Sequence, residues 1–139
     1  MSSFARGVAF LLGLAIVGCA FLPWTSGSTA MGVPLHGLLS PGERTDAFTW
    51  VASLGLPVLV AGALVVLGSV GNGRTLVIVG GLAAVALPTA WILVNAISRG
   101  GAAVPISQIQ IGAYGCAIAG FMTLILAAIA IDTRVPSVR

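Results

Sequence analysis

The residues of this chain able to do chemistry are few and scattered. Its single histidine, His36, stands four positions before Ser40, and Glu43, Arg44 and Asp46 follow closely. A nucleophile needs a base within hydrogen-bond reach and a third group to orient that base. His36 and Ser40 supply two residue types of such a set, but a lone histidine in a turn-rich loop reads as structural. Three acids, one histidine and the two distant cysteines, Cys19 and Cys116, do not make up a metal-ligand set. Paired histidine ligation of haem is ruled out by the single His36. The expectation is a protein that is not an enzyme and carries no metal or cofactor.

The elements that hold these residues are written in the composition. The chain has 139 residues, 58% of them hydrophobic and 6% charged, with mean hydropathy +1.14. Soluble domains carry roughly a quarter of their residues as charges. With so few, this chain cannot build a water-facing surface. Four apolar runs of the length that crosses a bilayer lie at about 7–24, 48–70, 75–97 and 111–131. The reading is an all-α, multi-pass integral membrane bundle of four transmembrane helices in one domain. Outer loops fall at about 25–47 and 98–110, the first being the longer. The Gly71-Asn72-Gly73 turn separates the second and third spans. Pro57 and Pro88 fall inside spans and predict kinks.

The first run carries a competing signal. Ile16-Val17-Gly18-Cys19, after the basic start at Arg6, fits a lipoprotein cleavage site with Cys19 as the lipidated residue. The apolar run continues through Ala20-Phe21-Leu22-Pro23-Trp24, where such a protein would turn polar, so the segment is read as a retained span.

All six cations are arginines, placed singly near span ends, which reads as topology control rather than a nucleic-acid patch. Arg6, Arg74, Arg134 and Arg139 fall on one side and Arg44 and Arg99 on the other. The positive-inside rule then puts both termini in the cytoplasm of a bacterial plasma (inner) membrane. Trp24, Trp50 and Tyr114 are expected at the outer headgroup level, with Trp91 about two turns deeper.

Span four carries two rows of small residues, Gly112-Cys116-Gly120 and Gly115-Ala119-Thr123-Ala127, and Gly80 and Ala84 begin a third on span three. Such rows let helix backbones approach closely where lipid gives no hydrophobic drive for association. They serve either the bundle itself or docking against larger integral membrane subunits. Cys19 and Cys116 are expected at similar depth, where they could touch or bond. Thr89 and Asn95 are candidates for hydrogen bonds between helices. Ser40-Pro41-Gly42-Glu43 reads as a capping box that starts a short helix before span two.

No span carries an ionisable residue away from its ends, which argues against pumps, proton-coupled transporters and voltage sensors. Gly13-Leu14-Ala15-Ile16-Val17 and Gly81-Leu82-Ala83-Ala84-Val85 each precede a Leu-Pro and a Trp, a faint sign of a duplicated two-helix unit. Phe21-Leu22-Pro23-Trp24, ending a span before a Gly/Ser-rich outer loop, resembles small uncharacterised four-helix membrane proteins of actinobacteria. That resemblance implies an accessory subunit of a larger assembly, either a lipid-import machine of the mammalian-cell-entry (Mce) type or a respiratory supercomplex. The expected function is thus a non-catalytic accessory or stabilising subunit, with lipid transport ranked above respiration. The alternative is a small stand-alone transporter or lipophile-binding protein with a cavity lined by Pro57, Pro88, Trp91 and Asn95.

Overall fold

A computed structural model describes residues 2–25, 27–33, 35, 52–97 and 109–132, with the side chains of 95–97 and 131–132 outside that set. The described residues form four helices: α1 (Ser3–Cys19), α2 (Gly55–Val70), α3 (Arg74–Ile97) and α4 (Ile111–Asp132). Between α1 and α2 lie a small hairpin, β1 (Pro23–Thr25) with β2 (Ser28–Thr29), and a 3-10 turn, Ala30–Gly32. The segments Arg74–Val94 and Ile111–Ala130 are long and apolar enough to cross a membrane. α1 and α2 are also apolar, at 17 and 16 residues.

Each helix packs against its neighbours in the chain, and α1 packs against α4, so the four close into a ring. Neighbours run antiparallel. Gly13 and Val17 of α1 meet Val66 and Gly62 of α2 in reversed order, and on α3 and α4 Gly81 and Ala84 meet Leu124 and Gly120. The start of α1, the α2–α3 turn and the end of α4 therefore share one end of the bundle. The hairpin, the start of α2 and the start of α4 share the other.

The seams are drawn by glycine. A methyl group added at Gly62 would lie 2.7 Å from Val17 Cγ2, 2.9 Å from Val17 N and 3.0 Å from Gly13 O. On the α3–α4 seam, the same addition at Gly120 would lie 3.0 Å from both the Ala84 C and the Gly81 O. At these points backbone touches backbone, the contact that small residues permit and larger ones forbid.

Two span boundaries differ from expectation. α1 stops at Cys19, not 24, because Pro23 lacks an N–H and disfavours the helical conformation in the residue before it. The apolar residues after it fold back as the hairpin, so a run read as helix is part strand. α2 begins at Gly55, not 48, and residues 48–51 lie outside the described set. Pro57 consequently sits in the first turn of α2, where its missing N–H removes no intrahelical bond, and the expected mid-span kink has no basis there. The α2–α3 turn follows expectation. Asn72 takes φ 55, and Gly73 N–H donates to Gly68 O at 2.8 Å, the reversal that ends a helix tightly.

Candidate functional site

Of the reactive side chains read from the sequence, the two thiols lie among the described residues. Cys19 and Cys116 are free and buried. His36, Ser40, Glu43, Arg44, Asp46, Trp50 and Arg99, with the capping box, lie outside the described residues. Among the described residues no three His, Cys, Asp or Glu side chains come together to hold a metal.

The structure instead absorbs most of the singled-out residues into packing. Gly80, Ala84, Gly112, Cys116, Ala119, Gly120 and Thr123 are buried and Gly115 is half-buried. Gly80 lies against Ala61 and Val65 of α2, Gly112 against Pro23 and Trp24, Gly115 against Cys19, and Gly120 against Gly81 and Ala84. The rows of span four are thus divided between two neighbours: Gly112 and Gly115 face α1 and the hairpin, while Gly120 and Thr123 face α3. The α1–α2 seam at Gly13 and Gly62 was not singled out from the sequence. Ala5, Ala9 and Gly13, four apart and all buried, were the signal for it.

Cys116 has a further task. Pro88 has no N–H to give the carbonyl four residues back, so Ala84 O lacks its usual helical partner. The Cys116 thiol donates to that oxygen at 3.3 Å across the α3–α4 seam. A proline defect on one helix is thereby covered by a thiol on the next. Thr89, expected to bond between helices, donates to Val85 O of its own helix at 2.7 Å. Thr123 does the same to Ala119 O at 2.8 Å.

Trp24 and Trp91 depart most from expectation. Trp24 is fully buried and Trp91 is 4% exposed, and their rings meet edge to face with centroids 5.8 Å apart. The Trp24 indole N–H donates to Cys19 O at 2.8 Å, capping the end of α1. Gln110 N–H donates to Trp24 O at 3.0 Å, tying the hairpin to the approach of α4. Trp24 is therefore a core residue closing one end of the bundle rather than a headgroup anchor. Tyr114 is 43% exposed, as an anchor would be.

The residues expected to line a cavity, Pro57, Pro88, Trp91 and Asn95, are placed as follows. Pro88 and Trp91 are core residues, and the Asn95 side chain lies outside the described set. Pro57 does line a cleft, of about 640 Å³, between α2 and α3. From α2 come Leu56, Pro57, Val60, Ala61 and Leu64; from α3 come Ala83, Ala86 and Leu87; Leu35 adds to its wall. The spacing on each helix is that of a single face. Gly68 and Gly80 hold the two backbones together elsewhere on the seam. Where Leu56, Pro57, Val60 and Leu64 of α2 stand opposite Ala83, Ala86 and Leu87 of α3, a space remains. Every lining side chain is apolar, so the cleft can hold hydrocarbon and orient nothing by hydrogen bonds.

No family model, curated protein or solved structure matches the chain. The cleft and the bundle's outer surface are therefore what a functional reading must rest on.

Proposed function

We propose that the protein crosses the inner membrane four times with both termini in the cytoplasm, and that it holds a long apolar chain in the α2–α3 cleft. It does so as a non-catalytic accessory subunit of a larger membrane assembly. The observation that carries the reading is the cleft itself, a space of about 640 Å³ walled by nine apolar residues. Its size falls in the range of roughly 300–1,000 Å³ used for small ligands.

Support for the membrane placement comes from the girdle of exposed large apolar side chains. Leu11, Leu67, Leu82, Ile118, Phe121 and Ile129 are each more than half exposed, and they come from all four helices. A patch of that extent on a water-soluble monomer would drive aggregation. Arg6 and Arg74 lie at the same end of the bundle, as a shared cytoplasmic side requires.

Among the assemblies implied by the resemblance, the cleft favours lipid transport over respiration, because an acyl chain matches its walls. A neighbouring helix would need small residues or polar groups for close approach. The cleft offers chiefly Leu, Val and Pro, and most of the small residues singled out are already used inside the bundle. Gly7 and Gly18 on α1, outside those rows, are both exposed with nothing within 4 Å of an added methyl group, and they leave that face open to a larger subunit.

A photo-crosslinking residue at Val60, activated after purification in mild detergent, where bulk lipid is diluted away and a held chain is not, tests the assignment. Lipid adducts well above those from Ile118 on the outer face of α4 are the expected result. Equal yields from both positions would sink the cleft as a site. Protein adducts at Val60 would replace the apolar chain with a partner helix. Mild-detergent purification tests the assembly: a clean monomer with no co-purifying subunit leaves a stand-alone lipophile-binding protein.

A further inference from the structure

The seam between α2 and α3 has two unlike halves. Toward the Arg74 end it is shut. A methyl group added at Gly80 would lie 2.6 Å from Ala61 O and 3.0 Å from Val65 N, and one at Gly68 would lie 2.8 Å from Val77 N. Toward the hairpin end the seam opens into the cleft, where Leu56, Pro57 and Val60 stand opposite Ala83, Ala86 and Leu87. The cleft thus has a floor at Leu64 and Ala83, beside Gly80, and a mouth at Leu56 and Leu35. Leu35 is held at that end two residues beyond Val33, whose carbonyl takes the Leu54 N–H at 2.8 Å. The cleft is also open sideways, since Val60 is 51% exposed and Ala86 is exposed. Leu56 and Leu64 are eight residues apart on α2, about 12 Å at 1.5 Å per residue. That is close to the share of one leaflet in a hydrocarbon core of roughly 30 Å.

We propose that the cleft takes one acyl chain of a phospholipid from the leaflet on the hairpin side, with its terminal methyl at Leu64 and its headgroup beyond Leu35. By the topology proposed above, that is the extracytoplasmic leaflet. This rests on the reading of the cleft as a lipid site and adds the direction in which the lipid lies. A chain rising from the opposite leaflet would have to pass between Gly80 and Ala61, where backbone already meets backbone. A partner's transmembrane helix would need a groove along the whole seam, and this one stops near the middle of α2. The described walls are apolar throughout, so a headgroup drawn inside would lose its hydrogen bonds. It therefore stays at the mouth.

Phospholipids carrying a diazirine on one acyl chain, either beside the ester or beside the terminal methyl, test that direction. Each is incorporated with the full chain in proteoliposomes and carried through mild-detergent purification, which dilutes bulk lipid away. After irradiation, fragmentation mass spectrometry locates the adducts. The expected result is ester-end adducts at Leu35 and Leu56 and methyl-end adducts at Leu64 and Ala83. Val60→Trp fills the cleft from an exposed position and should lower both yields about tenfold, as when roughly two methylenes no longer fit. Ala86→Trp, from the opposite wall, stands in if that variant does not fold. The reverse order of adducts, or equal labelling of the same residues by both probes, overturns the direction and leaves a lipid in the cleft. Adducts confined to the outer face, at residues such as Ile118 and Phe121, overturn this inference together with the lipid reading beneath it.

Discussion

Gly62 shows how much of this molecule is decided by one hydrogen atom. A methyl group there would press on Val17 and on the backbone of Gly13, with 2.9 Å to the Val17 nitrogen, so α1 and α2 would have to part. Gly62→Ala is expected to cost about 1–3 kcal/mol, the range for overpacking a tight site. Equilibrium unfolding in detergent measures it. Gly7→Ala is the matched control. Nothing lies within 4 Å of its added methyl, and removing a helical glycine should stabilise by about 0.5–1 kcal/mol. The small-residue rows on span four were legible in the sequence because four-residue spacing marks a helix face. The partner facing each row was not, since packing against α1 or α3 depends on how the ring closes. Trp24 was placed at the headgroups because hydropathy has no means of showing that the chain turns back at Pro23 and buries it.

Among the elements, α3 and α4 are joined by a repair. Pro88 leaves Ala84 O without its helical N–H, and the Cys116 thiol fills that position at 3.3 Å. Cys116→Ala is expected to cost about 1–3 kcal/mol through the orphaned carbonyl, whereas Cys116→Ser, which keeps a donor, should cost less. In a Pro88→Ala background the residue at 88 has its own N–H, and the cost of Cys116→Ala should fall by about 1 kcal/mol. A double-mutant cycle reads that coupling, and strict additivity would mean the thiol and the proline are unrelated. The four helices themselves were legible, because apolar run length and the Gly71-Asn72-Gly73 turn mark them directly. The hairpin was not, since strands of 3 and 2 residues carry no periodicity. The cleft was not either, as it depends on how α2 and α3 meet along one seam.

For the whole molecule, the ring with its buried thiols yields two expectations. Cys19 and Cys116 are both free and buried, so a maleimide should label neither in the native protein and both after denaturation. Mass spectrometry counts the adducts, and rapid native labelling would contradict the ring closure around α1 and α4. The shared end of Arg6 and Arg74 gives the second. A fluorescent protein fused to the C-terminus should glow, and a periplasmic phosphatase fused there should be inactive. The reverse result would invert the bundle. The joint at Trp24 also bears on how the molecule comes into being. Its backbone oxygen takes a bond from Gln110, and its ring lies on Trp91 and against Gly112. Contacts this far apart in the chain are slow to form, because the loop between them must first be closed. As the ribosome delivers the helices in order, the contacts of Trp24 with Trp91, Gln110 and Gly112 cannot all close until the last arrives. Truncation before α4 would therefore remove more than one helix: it would leave the nascent bundle without its clasp and open to quality-control proteases.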